Sequence, residues 1–254
     1  MKTVTLIGIG PGDPDALTLA AVRAIQAADL FFLLDKHGDG TESLIRFRQE
    51  ILDRHRGNRP YRVARMDNPC RDRGAEDYRG AVDDWRTRRG TLIGRMIDES
   101  LAEGEHGAFL IWGDPSLYDG TLGNLHALAE AGRAIDIQVV PGITSVQMLA
   151  ARHRIPLNQI GQGITITTGR QIEQAEPESY GDVVVMLDSR SAFRRWIGTG
   201  PVEIFWGADL GGPDEVLIAG PLAEVADRID AALAAQRARK GWVMDCYLMR
   251  RGAD

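Results

Sequence analysis

Val4-Thr5-Leu6-Ile7-Gly8-Ile9-Gly10-Pro11-Gly12-Asp13-Pro14 is the stretch on which the fold turns. Val4 to Ile7 is apolar with β-branched residues and no polar face. That is the pattern of a parallel strand buried on both sides, and glycine stops it. The turn that follows has the outline of a dinucleotide fingerprint and departs from it in detail. Asp13 stands where the last glycine belongs, Pro11 removes a backbone donor, and no Gly-Lys-Ser/Thr follows. A rigid turn over a ligand of mixed polarity and a plain strand-to-helix turn both remain open. Outward from it, a helix is predicted over 18–28 with Leu19, Val22 and Ile25 on one face. Leu30 to Leu34 reads as a second buried strand, Ala108 to Trp112 as a third and Ile137 to Val140 as a fourth. Strands alternating with helices predict βαβ units. Glycine-bearing turns follow the strands at Gly10, Gly113 and Gly142. Ligands in open α/β sheets collect at the carboxyl ends of strands, so these turns are the first candidates for a site.

The second half reads differently. Ile164 to Thr167, parts of Val183 to Leu187, Val202 to Trp206 and Trp242 to Leu248 alternate, which predicts a mixed sheet with one wetter face. A helix is predicted over 222–237 with Val225, Ile229 and Leu233 at helical spacing. The expected organisation is two α/β domains, 1–141 with a mostly parallel sheet and 142–254 with a mixed one. Between Lys36 and Arg95 lies a weakly periodic, arginine-dense insertion, from Arg46 and Arg48 through Arg71 and Arg73 to Arg89 and Arg95. Two duties are open to these arginines. One is a solvated helical surface paired with Glu42, Asp53, Asp72 and Asp83; the other is a basic wall facing a polyanion.

Composition narrows the function classes. The net charge of −6 carries no basic field for nucleic acid. Two cysteines, Cys70 and Cys246, make neither a metal-ligand spacing nor a disulfide framework, so a reducing cytoplasm is expected. The apolar run at the start is too short for a signal core, and no stretch has the length of a membrane span. The second turn is Trp112-Gly113-Asp114-Pro115-Ser116-Leu117-Tyr118. Gly113 permits close backbone approach, and Asp114 suits either ribose hydroxyls or the ordering of the loop. In the third, Pro141-Gly142-Ile143-Thr144-Ser145, the hydroxyl residues suit the cap of a following helix.

These three turns, in this order and each after a buried strand, resemble the tetrapyrrole methylase family. The likeness also rests on Ala151 to Asn158, Thr167-Thr168-Gly169-Arg170, Val185-Met186-Leu187-Asp188, Trp206-Gly207-Ala208 and Gly241 to Asp245. Within the family it is to the deacetylating subgroup, which methylates ring carbon 1 of precorrin-5 and releases acetate to give precorrin-6A. The resemblance implies two α/β domains with S-adenosylmethionine folded into the cleft between them and released as S-adenosylhomocysteine. By motif, its contacts would be Pro11, Trp112, Gly113, Asp114, Leu117, Thr144, Ser145, Met186 and Gly207. Trp112 replaces a glycine usual in the family, so its side chain must point away from the cofactor or the site is reshaped. The resemblance further implies a small tetrapyrrole substrate, no metal, no nucleic-acid or membrane partner, and a homodimer as the default assembly.

Methyl transfer from a sulfonium is an in-line displacement that needs alignment and exclusion of water. Release of acetate needs water to attack a carbonyl, hence a base and an oxyanion donor. Asp35, at the end of the second strand, is the first candidate, followed by Asp114, Tyr118 and His153, with His37 and His126 behind them. Arg170 and Arg190 are candidates for the substrate carboxylates. Competing expectations are a methylase of another macrocycle position or of a protein side chain, as in diphthine synthase, a non-catalytic tetrapyrrole carrier, and a nucleotide-binding regulator, against which the failed phosphate-loop pattern counts.

Overall fold

A computed structural model of the chain describes residues 1–35, 42–69 and 77–252. The chain forms two compact units, one of Met1–Gly10 with Pro14–Ile143 and one of Pro11–Asp13 with Thr144–Asp254. In the first unit, β1 (Lys2–Gly8), β2 (Leu30–Asp35), β3 (Arg62–Asp67), β4 (His106–Ile111) and β5 (Ile135–Val140) make one sheet in the order β3-β2-β4-β1-β5. Every pairing in it is parallel. Helices cover both faces. Val4, Leu6, Phe32, Phe109 and Ile111 pack against Ile93, Met96 and Ile97 of α3 (Tyr78–Ser100) and Leu125 and Leu128 of α4 (Thr121–Glu130). Ile7, Phe31, Ala108 and Leu110 point the other way, onto Ala21 and Ile25 of α1 (Leu19–Ala27) and Phe47, Ile51 and Leu52 of α2 (Glu42–His55). Burial on both faces is why these strands read as unbroken apolar runs.

Leu19 departs from expectation. It is 76% exposed, and α1 buries Ala21 and Ile25 instead. Thr18 caps the helix, its hydroxyl accepting from Ala21 N at 3.0 Å, so Leu19 is the first helical residue and precedes the packed turn.

The arginine-dense region is more than an insertion, because its middle forms strand β3 at the edge of the parallel sheet. Its largely exposed pattern carries no apolar run. Charged side chains on an edge strand oppose pairing with another chain. Two of its described arginines, Arg56 and Arg89, are buried and hold the fold. Arg56 is buried and donates to the carbonyls of Ile25 at 2.7 Å, Ala28 at 2.6 Å and Pro60 at 3.1 Å, and also to that of Gln26. It satisfies the open carbonyl end of α1. Arg89, also buried, donates to Asn124 Oδ1 at 3.0 Å and Thr121 Oγ1 at 2.8 Å, tying α3 to α4. Exposed pairs such as Arg54–Glu50 and Arg62–Glu105 add little to stability. Of the expected pairings, Arg86–Asp83 is present at 3.9 Å, whereas Asp53 accepts from Gln49. His37, Cys70, Arg71, Asp72 and Arg73 lie outside the described residues, as do the side chains of Asp35, Glu42 and Arg79.

The second unit holds β6 (Ile164–Thr168), β7 (Asp182–Met186), β8 (Val202–Ala208), β9 (Val216–Pro221) and β10 (Asp245–Arg251), in the order β6-β7-β10-β8-β9. β6 and β7 are parallel and the other pairings antiparallel, so the sheet is mixed. The wetter face expected from alternation is not general. Val183, Val184 and Val185 are all fully buried. On one side lies α7 (Leu222–Lys240), packing Val225, Ile229 and Leu233 onto Trp206, Tyr247 and Ile204. On the other lies α5 (Ser145–His153), against β8 and β10. β6 does not alternate either, and Trp242 to Met244 precede β10. Among the described residues no helix is long and apolar enough to cross a membrane.

Candidate functional site

Within the first unit, the ends of β1, β4 and β5 meet. Gly10 N donates to the Gly113 carbonyl at 3.3 Å, and Gly113 N returns a bond to Gly10 at 2.9 Å. Both residues have positive φ, 77 for Gly10 and 68 for Gly113, which glycine adopts without the Cβ penalty. Gly8 and Gly142 press together so closely that a Cβ on Gly8 would lie 2.5 Å from Gly142 N and 2.8 Å from the Gly113 carbonyl oxygen. The three glycine turns picked out in the sequence are thus one backbone cluster at the carboxyl edge of the sheet. Asp114 locks it. Its Oδ1 accepts from Ser116 N at 2.7 Å and from the Ser116 hydroxyl, and its Oδ2 accepts from Gly142 N at 2.8 Å. Burial would raise its carboxyl, but the three donors outweigh burial and hold it below the usual range. The side chain thus orders the loop, with a donor on each carboxylate oxygen.

Trp112 is half-buried and packs on Phe47 of α2, with ring centroids 4.8 Å apart. Leu117 N bonds to the Asp114 carbonyl at 3.2 Å, completing the turn. Tyr118 follows at φ 54 with 48% of its surface exposed, and desolvation raises its phenol above the ordinary value. Asp35 ends β2, opposite Asp67 in the register, at the same carboxyl edge.

Within the second unit, Ser145, Met186 and Gly207 gather around Cys246. Cys246 is the register partner of Met186 on one side and of Gly207 on the other, and Ser145 hydrogen-bonds its thiol. Burial, with the charge of Asp245, pushes that thiol up to about 12. Reading the sequence did not identify Cys246 as the centre of this group; a lone apolar-flanked cysteine carries no signal for it. Thr144 caps α5: its hydroxyl accepts from Val146 N at 3.1 Å, and its own N–H bonds to Gln147 Oε1 at 3.1 Å. A Cβ on Gly207 would stand 2.6 Å from Leu210 Cδ2 and 3.0 Å from Leu149 Cδ1, so a larger residue here would push both leucines aside. Pro11 is buried in the same unit.

His153 is the last residue of α5. Its Nε2 sits 3.0 Å from the Trp206 carbonyl, its ring stands edge-on to Phe205, and burial lowers its pKa. The bond to a backbone carbonyl fixes the orientation of the ring and its tautomer. Arg170 and Arg190 belong to one corner. Gly169, ahead of Arg170, abuts Asp188, with a notional Cβ 2.7 Å from Asp188 Oδ1, and Arg190 N bonds to that same oxygen at 2.9 Å. The Arg190 side chain is 75% exposed and lies 3.7 Å from Glu173. Among the described residues no group of three or more His, Cys, Asp or Glu is placed to hold a metal ion.

Asp245, beside Cys246, accepts from Trp206 Nε1 at 3.1 Å. Burial, reinforced by the charge of Asp188, drives its carboxyl up to about 7. An acid raised above its unfolded value of about 3.9 keeps a proton in the folded chain that the unfolded chain has lost. Stability therefore falls as pH climbs from that value toward the folded one. Asp245→Asn retains an acceptor for Trp206 and removes the titration. Thermal melts across pH 5–8 are expected to show the variant gaining on the parent as pH rises. The gain should reach a few kcal/mol at the top of the range, since each tenfold difference in proton affinity between folded and unfolded chains is worth about 1.4 kcal/mol. Parallel curves would refute the ionisation.

Residues 3–226 match the family of Tetrapyrrole (Corrin/Porphyrin) Methylases. A precorrin-6A synthase [deacetylating] of Sinorhizobium sp is 42% identical, covering 100% of this chain and 97% of that protein. The crystal structure of a cobalamin synthesis related protein, CobF, of Corynebacterium diphtheriae superposes with a TM-score of 0.81 at 34% identity, covering 99% of each chain. A uroporphyrin-III C-methyltransferase of Thermus thermophilus, complexed with S-adenosylhomocysteine, shares the fold, with a TM-score of 0.58 at 18% identity over 98% of this chain and 97% of that one.

Proposed function

Because the chain belongs to the tetrapyrrole (corrin/porphyrin) methylases, we propose that it methylates ring carbon 1 of precorrin-5 from S-adenosylmethionine and releases acetate, giving precorrin-6A. The observation that carries this reading is the full-length similarity to a precorrin-6A synthase [deacetylating]. S-adenosylmethionine supplies the methyl group as a sulfonium. The backbone of Trp112 to Asp114 and Leu117, rigid because Asp114 holds it, and the groups of Pro11, Thr144, Ser145, Met186 and Gly207 are the contacts we assign to it. The fit rests on the glycine cluster, where the strand-end turns pack backbone against backbone and so hold fixed the main-chain groups assigned to the cofactor.

The chain's own chemistry is then alignment and proton handling. Tyr118, whose phenol stays protonated at neutral pH, is suited to donate to the developing oxyanion rather than to act as base. Asp35, at the carboxyl end of β2, is the residue we assign to activate the water that attacks the acetyl carbonyl. Arg170 and Arg190 are assigned to substrate carboxylates, each good pair contributing on the order of 1.5–3 kcal/mol.

The test is incubation with S-adenosylmethionine and precorrin-5, with S-adenosylhomocysteine and acetate assayed together. Equal amounts of both are expected. S-adenosylhomocysteine without acetate would remove the deacetylating step and keep the methylase; tight macrocycle binding with neither product would favour a carrier.

A further inference from the structure

Leu187 follows the last residue of β7 and combines two unfavourable features. Its backbone lies in the left-handed region at φ 54, and its side chain is 62% exposed. An L-residue with a branched side chain is strained there, and an exposed side chain recovers little of that by packing. Three of the other non-glycine residues with positive φ have local reasons for it. Arg154 closes α5 as its C-cap. Ser191 opens the short turn at Ala192–Trp196 and donates to Asp230 at 2.5 Å. Asp209 is ion-paired with Lys240 at 2.5 Å.

The bend at Leu187 is imposed from both sides. Met186 is laddered between β6 and β10. Asp188 is buried, and its carboxylate accepts from Arg190 N at 2.9 Å, Ala192 N at 2.7 Å and the Tyr247 hydroxyl at 2.7 Å. Glycine or asparagine would take this conformation with less strain. Strain kept at an over-determined position, under an exposed apolar side chain, marks a functional contact. Its neighbour Arg190 presents a guanidinium 75% exposed. An exposed apolar side chain three residues before an exposed cation, on one strand-end turn, matches a ligand with a flat conjugated face and an anionic rim.

We propose that Leu187 is a substrate-contacting residue on which the face of the macrocycle rests, while Arg190 takes a carboxylate at its rim. This rests on the function proposed above and adds a specificity determinant to it.

The test compares the parent with Leu187→Asn, Leu187→Gly and Leu187→Met. Losing the apolar contact is expected to raise KM for precorrin-5, and the Kd read from macrocycle absorbance, by about 10- to 100-fold in the Asn and Gly variants. kcat should stay within about threefold, as for lost uniform binding. S-adenosylhomocysteine affinity by calorimetry should not change. Relief of strain should leave the Tm equal or higher by about 2–4 °C. Leu187→Met should stay near the parent.

Parental macrocycle affinity in Asn and Gly overturns the inference. So does weakened S-adenosylhomocysteine binding with macrocycle affinity intact, which would place Leu187 on the cofactor. So does a lowered Tm with both affinities lost, which would make the residue structural. A parent that binds macrocycle but yields no S-adenosylhomocysteine ends the methyltransferase reading, while the variants' binding still decides Leu187. A parent that binds no macrocycle ends both.

Discussion

Gly142→Ala is expected to destabilise the protein by roughly 3 kcal/mol or more and to reduce S-adenosylhomocysteine affinity at least about 100-fold. The new methyl would overlap the Gly113 carbonyl oxygen and stand 2.8 Å from the Cα of Gly8. All the obstructing atoms are backbone, and each belongs to the end of a central parallel strand, so no rotamer change relieves the clash. Either β5 or β4 must move away from β1, and the bridge between Gly10 and Gly113 must open. Gly123→Ala is the internal control. Gly123 lies in α4, and a Cβ there meets nothing within 4 Å. It should gain about 0.5–1 kcal/mol from helix propensity and leave ligand binding unchanged. Urea unfolding and calorimetry on the two variants check both statements. Equal stability for Gly142→Ala and the parent would show that the turns do not converge.

The second large effect belongs to Asp114→Asn, expected to lose about 2–4 kcal/mol of stability and to weaken cofactor affinity through the loop rather than through a lost contact. An asparagine oxygen can still accept from Ser116, but its amide then faces Gly142 N, a donor against a donor. Removing a charged acceptor from buried donors costs more than removing a neutral bond. The pH signature separates this from a simple loss of fold. A carboxyl held below its unfolded value contributes stability above about pH 3.9 and loses it as pH falls toward its lower folded value. The parent should therefore lose the Asp114 contribution on acidification, while the gap to Asp114→Asn closes. A gap that stays constant from pH 7 into the acid range would refute the role of the ionised carboxylate.

Much of the fold was legible because a buried parallel strand leaves a local trace. Val4 to Ile7, Leu30 to Leu34 and Ala108 to Ile111 are apolar on both faces since helices cover both faces. β3 left no such trace. Arg62, Arg65 and Asp67 sit on an exposed edge, and what makes it a strand is its pairing with β2, which no window of its own residues encodes. The mixed sheet was expected from alternation, but Val183 to Val185 are buried throughout; mixing comes from one parallel pairing, β6 with β7. Candidate residues divided the same way. Gly10, Gly113 and Gly142 could be marked one by one, because glycine announces a backbone need. Cys246 at the centre of Ser145, Met186 and Gly207 could not, and neither could the strained bend at Leu187, since leucine announces nothing about φ.

The amino-acid order alone therefore determined the α/β class, the position of each central strand and the three glycine-bearing turns at strand ends, because hydrophobic period and backbone permissiveness are properties of neighbours in the chain. Tertiary structure alone decided which polar groups are already spent. Asp114 meets Gly142 N, His153 meets the Trp206 carbonyl and Arg56 meets the end of α1, each across a gap in sequence that only the folded chain closes. A hydrogen bond is satisfied by whatever lies within about 3 Å, and that distance is set by packing rather than by position along the chain.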